Sequence, residues 1–209
     1  MTAKRWISVI ATGEASMTPD MAVVSFAVSG SGKQLAPTRD DVNARSSSVL
    51  ARLRELGVAD ADLKAPDVGI HPEYDYRKGQ RLTGYRVMRQ MTAKVRDLDH
   101  LGDVLDGLVT AGANEVHGAQ MSASDPSSAE HAALRAAVAA ARAKAEAVAE
   151  AGGVALAGLA RVEEEPAHAA PMPRTRMLAA GAMTEDAPTE VAAGDLTVTR
   201  RVRAWFAIE

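Results

Sequence analysis

The sequence predicts an α+β fold: a largely antiparallel sheet built of β-β-α-β-β and α-β-α-β-β halves, with helices packed on one face. Three observations carry this expectation. Segments of period-two alternation recur along the chain, as half-buried strands require. Neighbouring alternating segments are joined by short polar turns, which reads as hairpins and hence an antiparallel sheet. Between them lie three segments of helical spacing, each ended by glycine.

The elements follow in order. Residues 6–12 (WISVIAT) are rich in β-branched types, and Gly13 closes the run. In residues 20–30, Ala22, Val24, Phe26 and Val28 share one face and Val23, Ser25, Ala27 and Ser29 the other. MTPD between the two runs is turn chemistry, so the two strands are expected to form a hairpin. From Pro37 the period changes. Val42, Val49, Leu53 and Leu56 recur at helical spacing, with Gly57 as the stop.

Residues 67–74 read as a strand whose Pro72 calls for a sheet edge or a bulge. RKGQ is a turn, and residues 85–96 then place Tyr85, Val87, Met91, Ala93 and Val95 on one face. Arg89 is the one charged residue on that apolar side, and near an edge its long side chain can reach water. A second helix starts at about Leu98 with Asp97 as N-cap and turns Leu98, Leu101, Leu105 and Leu108 inward. A strand around Val116–Ser122 follows, then an alanine-rich helix over 127–151 stopped by Gly152-Gly153. A strand near Leu159–Glu163 leads into residues 164–194, rich in Pro, Ala, Gly and Met without periodicity, expected as a mobile excursion. Residues 195–209 alternate again and close the fold. The expectation is one domain over 1–209.

Composition limits the function. Lys and Arg number 24 against 27 Asp and Glu, so no field of one sign gathers nucleic acid or anionic lipid, and nucleic acid is not an expected partner. Cysteine is absent, which excludes disulfides and thiolate chemistry. No apolar run is long enough for a transmembrane segment. The first residues carry Lys4 and Arg5 but no apolar stretch of signal-peptide length. As written, the chain reads as cytoplasmic; it reads as periplasmic or extracytoplasmic if an export signal has been removed.

Several ordered segments resemble the SIMPL-domain family, whose members include bacterial periplasmic immunogenic proteins and oxidative-stress-related proteins. They are ISV…GEA…PDMA near the start, Asn43 and the Gly57-Val58…Asp62-Leu63 exit, and Ile70-His-Pro-Glu-Tyr74. Gly84-Tyr85-Arg-Val87, VRDLDHLGDVLDGLVTAGAN, ALRAAVAAARAKAEAVAEAGG and Val191…Gly194 complete the set. Ala15 stands where a second glycine is common, and Ala65 where threonine is usual. The resemblance implies a fold and an envelope or stress-related role. It brings no catalytic residue and no cofactor.

Ser29–Lys33 fails the phosphate-loop pattern, since Ala27 and Gln34 stand at its other required positions. The five histidines lack metal-ligand spacing, and Asp97, Asp99, Asp103 and Asp106 suit a helix N-terminus without any metal. Tyr74 and Tyr85 are either a ligand platform or the packing of a hairpin, the latter being preferred. Residues 77–96 hold seven Lys or Arg and no acid. Arg86, Lys94 and Arg96 share one strand face, and Arg201 and Arg203 another. If those strands were neighbours, a positive sheet face would result; otherwise acids of adjacent strands neutralise it.

The expected function is therefore non-enzymatic, acting by self-association as a homo-oligomer or by binding a protein partner, without metal or cofactor. The alternative is a small-molecule or anion-binding protein, or an unrecognised enzyme, that uses the Tyr74/Tyr85 region and nearby arginines.

Overall fold

A computed structural model describes residues 5–66, 68–77, 79–166 and 194–209, together with the backbone of Met172–Pro173. The excursion expected at 164–194 lies, apart from its first three and last residues and that dipeptide, outside the described residues. The fold class is α+β as read: β1 (Trp6–Met17), β2 (Met21–Gly32), α1 (Leu35–Glu55), β3 (Leu63–Lys64), β4 (Val68–Asp75), β5 (Arg81–Val95), α2 (Leu101–Thr110), β6 (Glu115–Ser122), α3 (Ser127–Ala151), β7 (Leu156–Glu165), β8 (Met172–Pro173) and β9 (Leu196–Ile208). Every strand pairing between these elements is antiparallel.

The strands divide between two compact units. One comprises Asp20–Ser122. Its sheet runs β3-β5-β2-β6, and β4 also pairs with β5. Val24, Phe26, Val28, Val87, Met91, Ala93 and Val95 line the covered face, and Val42, Val49 and Leu53 of α1 with Leu101, Val104 and Leu108 of α2 pack on it. The alternation in β2 and β5 thus places the side chains as expected. Arg89, on the same face, is half-buried, and its Nε is enclosed without a hydrogen bond among the described residues. Gly57 ends the first helical segment at φ +86°, a value glycine adopts without the steric cost of a Cβ.

The other unit contains 5–19, 123–166 and 194–209 among its described residues. Its sheet runs β1-β9-β7, and α3 covers one face. Ala129, Ala133, Ala137, Ala141, Ala145 and Ala149 form the buried stripe of α3, a spacing of four that keeps small side chains on one side of the helix. All of them but Ala149 cluster with Val9, Val198, Val202, Ala204 and Phe206 of β1 and β9. The small side chains let the helix come close to the sheet. At Gly13 of β1 an added Cβ would stand 2.2 Å from Ala137 N and 2.3 Å from Ala133 O.

One local expectation is corrected. β1 and β2 do not form a hairpin. β1 pairs along its length with β9, from Trp6↔Ala207 to Met17↔Leu196, and β2 pairs with β5 and β6. Short turn chemistry between two strands permits their pairing but does not compel it. Here Val198, Val202, Ala204 and Phe206 supply the long apolar face that β1 shares beneath α3. The expected β4–β5 hairpin does form, with Pro72 on β4 at the sheet margin and a register shift after Glu73.

Candidate functional site

Within the unit Asp20–Ser122, four segments converge on a recess of about 200 Å³. The exit turn of α1 brings Leu56 to Ala59, and a single 3-10 turn (Asp60–Asp62) brings Asp62. The end of β5 and the residue after it contribute Lys94, Val95 and Arg96; the start of the second helical segment contributes Asp97, His100 and Val104. Each segment terminates there for a local reason. Gly57 stops α1, and Asp97 caps the turn Leu98–His100 by accepting from Asp99 N.

The polar groups of this recess are ordered in pairs. Arg96 donates from Nε to Asp62 Oδ2 at 2.7 Å and from Nη2 to Asp62 Oδ1 at 2.8 Å, a two-pronged guanidinium–carboxylate contact. The Asp62 side chain is only 9% exposed and that of Arg96 59%, so the pair spans the boundary between core and water. Hydrogen bonding from Arg96 holds the Asp62 carboxyl below its usual range, aided by the charges of Arg96 and Lys94, while Asp62 raises the Arg96 guanidinium. Next to it, His100 Nδ1 lies 2.9 Å from Asp97 Oδ2. That hydrogen bond and the Asp97 charge push the imidazole up, with Asp103 and Asp99 adding to the effect, and His100 lowers Asp97 in turn. Lys94 is half-buried and makes no hydrogen bond or ion pair with the described residues.

The other residues singled out in the sequence are distributed elsewhere. Tyr74 and Tyr76 sit at the β4–β5 hairpin end with ring centroids 6.2 Å apart, around an open hollow with Asp75, Arg77 and Thr83. Tyr76 is 71% exposed. Tyr85 is half-buried on β5 between Gly32 of β2 and Pro72 of β4, apart from that hollow. Arg86 pairs with Glu73 of the neighbouring strand at 3.2 Å. Arg201 and Arg203 both pair with Glu165 of β7, at 2.8 and 3.0 Å. β5 and β9 belong to different sheets, so these cations do not share one sheet face. Among the described residues no group of three or more His, Asp or Glu side chains is placed to hold a metal ion.

Sequence reasoning gave Asp62 and Asn114 no functional role and weighed His100 only as a metal ligand beside Asp97, Asp99, Asp103 and Asp106. Asp62 carried no signal beyond its place after a helix exit, because its partner Arg96 is 34 residues away. Asn114 carried one, its place two residues after Gly112 at the end of the family-like segment VRDLDHLGDVLDGLVTAGAN. Its Oδ1 accepts from Ser29 N at 2.8 Å and its Nδ2 donates to Ser29 O at 3.0 Å, so the side chain continues the ladder between β2 and β6.

Comparison with known proteins places this architecture. The profile of the SIMPL family, described as proteins of unknown function (DUF541), matches residues 7–206. The chain is 32% identical over 176 residues to the uncharacterized protein YggE of Edwardsiella ictaluri, covering 82% of this chain and 74% of that protein. It is also 32% identical over 211 residues to the 26 kDa periplasmic immunogenic protein of Brucella melitensis, covering 95% of this chain and 83% of that one. With YggE of Escherichia coli K12 it shares 28% identity over 131 residues, 61% of this chain and 53% of the relative.

Proposed function

Because this chain belongs to the SIMPL family, we propose that it is a non-catalytic cell-envelope or stress-related protein that acts by associating with itself or with a protein partner. The observation that carries the reading is the margin of the β4–β5 hairpin. β4 pairs with β5 on one side and with no described strand on the other. An unpaired strand edge offers its N–H and C=O groups to another chain. Along that edge Val68, Ile70 and Tyr74 alternate with Gly69, His71 and Glu73, and stand 38%, 43% and 38% exposed. Leu82, opposite Tyr74, is 45% exposed. A long edge with an exposed apolar stripe suits strand addition. The envelope setting is supported by the Brucella melitensis relative, which is named a periplasmic immunogenic protein. Among the described residues no helix is long and apolar enough to cross a membrane.

Size-exclusion chromatography with light scattering tests the proposal. The expected result is a concentration-dependent assembly that Ile70→Lys, a charge in the middle of the stripe, reduces to the monomer. A wild-type chain that stays monomeric at high concentration and captures no partner through β4 overturns it.

A further inference from the structure

From the recess formed by Asp62, Lys94, Arg96, Asp97 and His100 we infer a binding site for a small organic carboxylate with a compact apolar body. The inference does not depend on association through β4.

The charged side chains of the recess are unequally engaged. Both oxygens of Asp62 accept from Arg96, and Asp97 is occupied by Asp99 N and His100. Each carboxylate oxygen therefore already accepts from the protein, whereas several cationic donors of the lining make no such contact. Lys94 lines the recess without a hydrogen-bond or ion-pair partner among the described residues. Arg96 uses only Nε and Nη2 in its contact, which leaves Nη1; His100 uses only Nδ1, which leaves Nε2 as a further donor when the ring is protonated. Unspent cationic donors around a concave surface favour an anion, and a planar carboxylate matches a guanidinium edge and an ammonium together.

The remaining lining narrows the class. Leu56, Val58, Val95 and Val104 give the recess an apolar wall beside its cations. At about 200 Å³ it lies below the roughly 300 Å³ at which pockets for drug-sized ligands begin. The lining charges sum to zero with His100 neutral and to one positive with it protonated, since Lys94 and Arg96 offset Asp62 and Asp97. Other acids act from outside the lining: Asp20 on Arg96, and Asp99 and Asp103 on His100. A monoanion is accordingly better matched than a doubly charged phosphate, and binding should strengthen as His100 gains its proton.

The test is a two-dimensional amide NMR titration of the full chain near pH 6 with benzoate, inorganic phosphate and the uncharged benzamide as probes. Saturable benzoate shifts are expected on Gly57 to Ala59, Asp62, Lys94 to Asp97 and His100. Benzamide should leave these amides unmoved. Lys94→Gln, which removes a charge near Asp62 but no hydrogen bond or ion pair among the described residues, should weaken benzoate binding by about tenfold, and Arg86→Gln, a surface cation elsewhere, should not. Shifts centred on Arg86, Arg201 or Arg203, equal response to benzamide, or no saturation by about 20 mM benzoate would overturn the site. Phosphate binding as tightly as benzoate would overturn the assigned apolar body.

Discussion

Gly13 shows how far one hydrogen atom in place of a methyl group can determine a packing distance. The backbone of α3 crosses β1 so closely that a Cβ there would fall 2.2 to 2.7 Å from Ala137 N, Ala133 O and Ala136 C. All three are main-chain atoms inside a helix, and no side-chain rotation relieves the overlap. Gly13→Ala therefore forces helix and strand apart. Overpacking of this kind costs about 1–3 kcal/mol and can cost more where backbone must move. The expected outcome in a urea titration is a lower unfolding midpoint at an unchanged slope. An unchanged midpoint would mean that α3 does not seat on Gly13. Asn114 makes the complementary point. Its two hydrogen bonds to the Ser29 backbone satisfy a donor and an acceptor that β6 does not reach, which gives a physical reason for an asparagine directly after the turn.

Elements were legible in the sequence to the degree that their causes are local. The α3 helix was read over 127–151 and spans Ser127–Ala151, because alanine richness and the Gly152-Gly153 stop are both written in the segment itself. The same holds for the capped start at Asp97 and for the alternating faces of β5. Beyond the β4–β5 hairpin, strand partners were not legible. β1 is separated from β9 by nearly the whole chain, and only the apolar face that they share under α3 decides their pairing. Nor could sequence alone bring Asp62 to Arg96, since their contact depends on where the α1 exit lies against the end of β5. The start of the second helical segment yields a prediction at this scale. His100 is raised by Asp97, so its contribution to stability is full below its unfolded value of about 6.5 and is lost as pH rises through the higher folded value. Asp97 and Asp62 are lowered by His100 and Arg96, and Asp125 is lowered by its contacts with Ser127 at the start of α3. Their contributions are present above about 4 and fade as pH falls through their folded values. Thermal midpoints measured across pH should therefore peak on the mildly acidic side of neutrality. His100→Ala should flatten the decline on the alkaline side and reduce the Asp97 share of the acid decline, leaving the Asp62 and Asp125 shares in place; an unaltered alkaline limb would refute the pairing.

At the scale of the whole molecule, two cores of different make-up serve one chain. The unit Asp20–Ser122 buries Phe26, Leu53, Met91, Leu101 and Leu108 with a set of valines. The other buries six alanines of α3 together with Val9, Leu196, Val198, Val202 and Phe206. Apolar burial stabilises by about 25 cal/mol per Å² removed from water, and an alanine methyl removes far less area than a leucine or methionine side chain. The alanine-based unit gains close helix–sheet approach at the expense of buried area per residue. Its local opening should accordingly require less free energy. Hydrogen exchange can read this directly by comparing strands that hold equivalent ladder positions. β2 is bonded on both sides, by β5 and β6, and β9 on both sides, by β1 and β7. Ladder position being equal, the difference between them reports the two cores. The slowest amides should lie in β2 and in the stretch of β5 between β2 and β4, with β9 exchanging measurably sooner. Protection in β9 equal to or above that in β2 would show that the tight seating of α3 compensates fully for its small side chains, and the ranking of the two cores by buried area would fail.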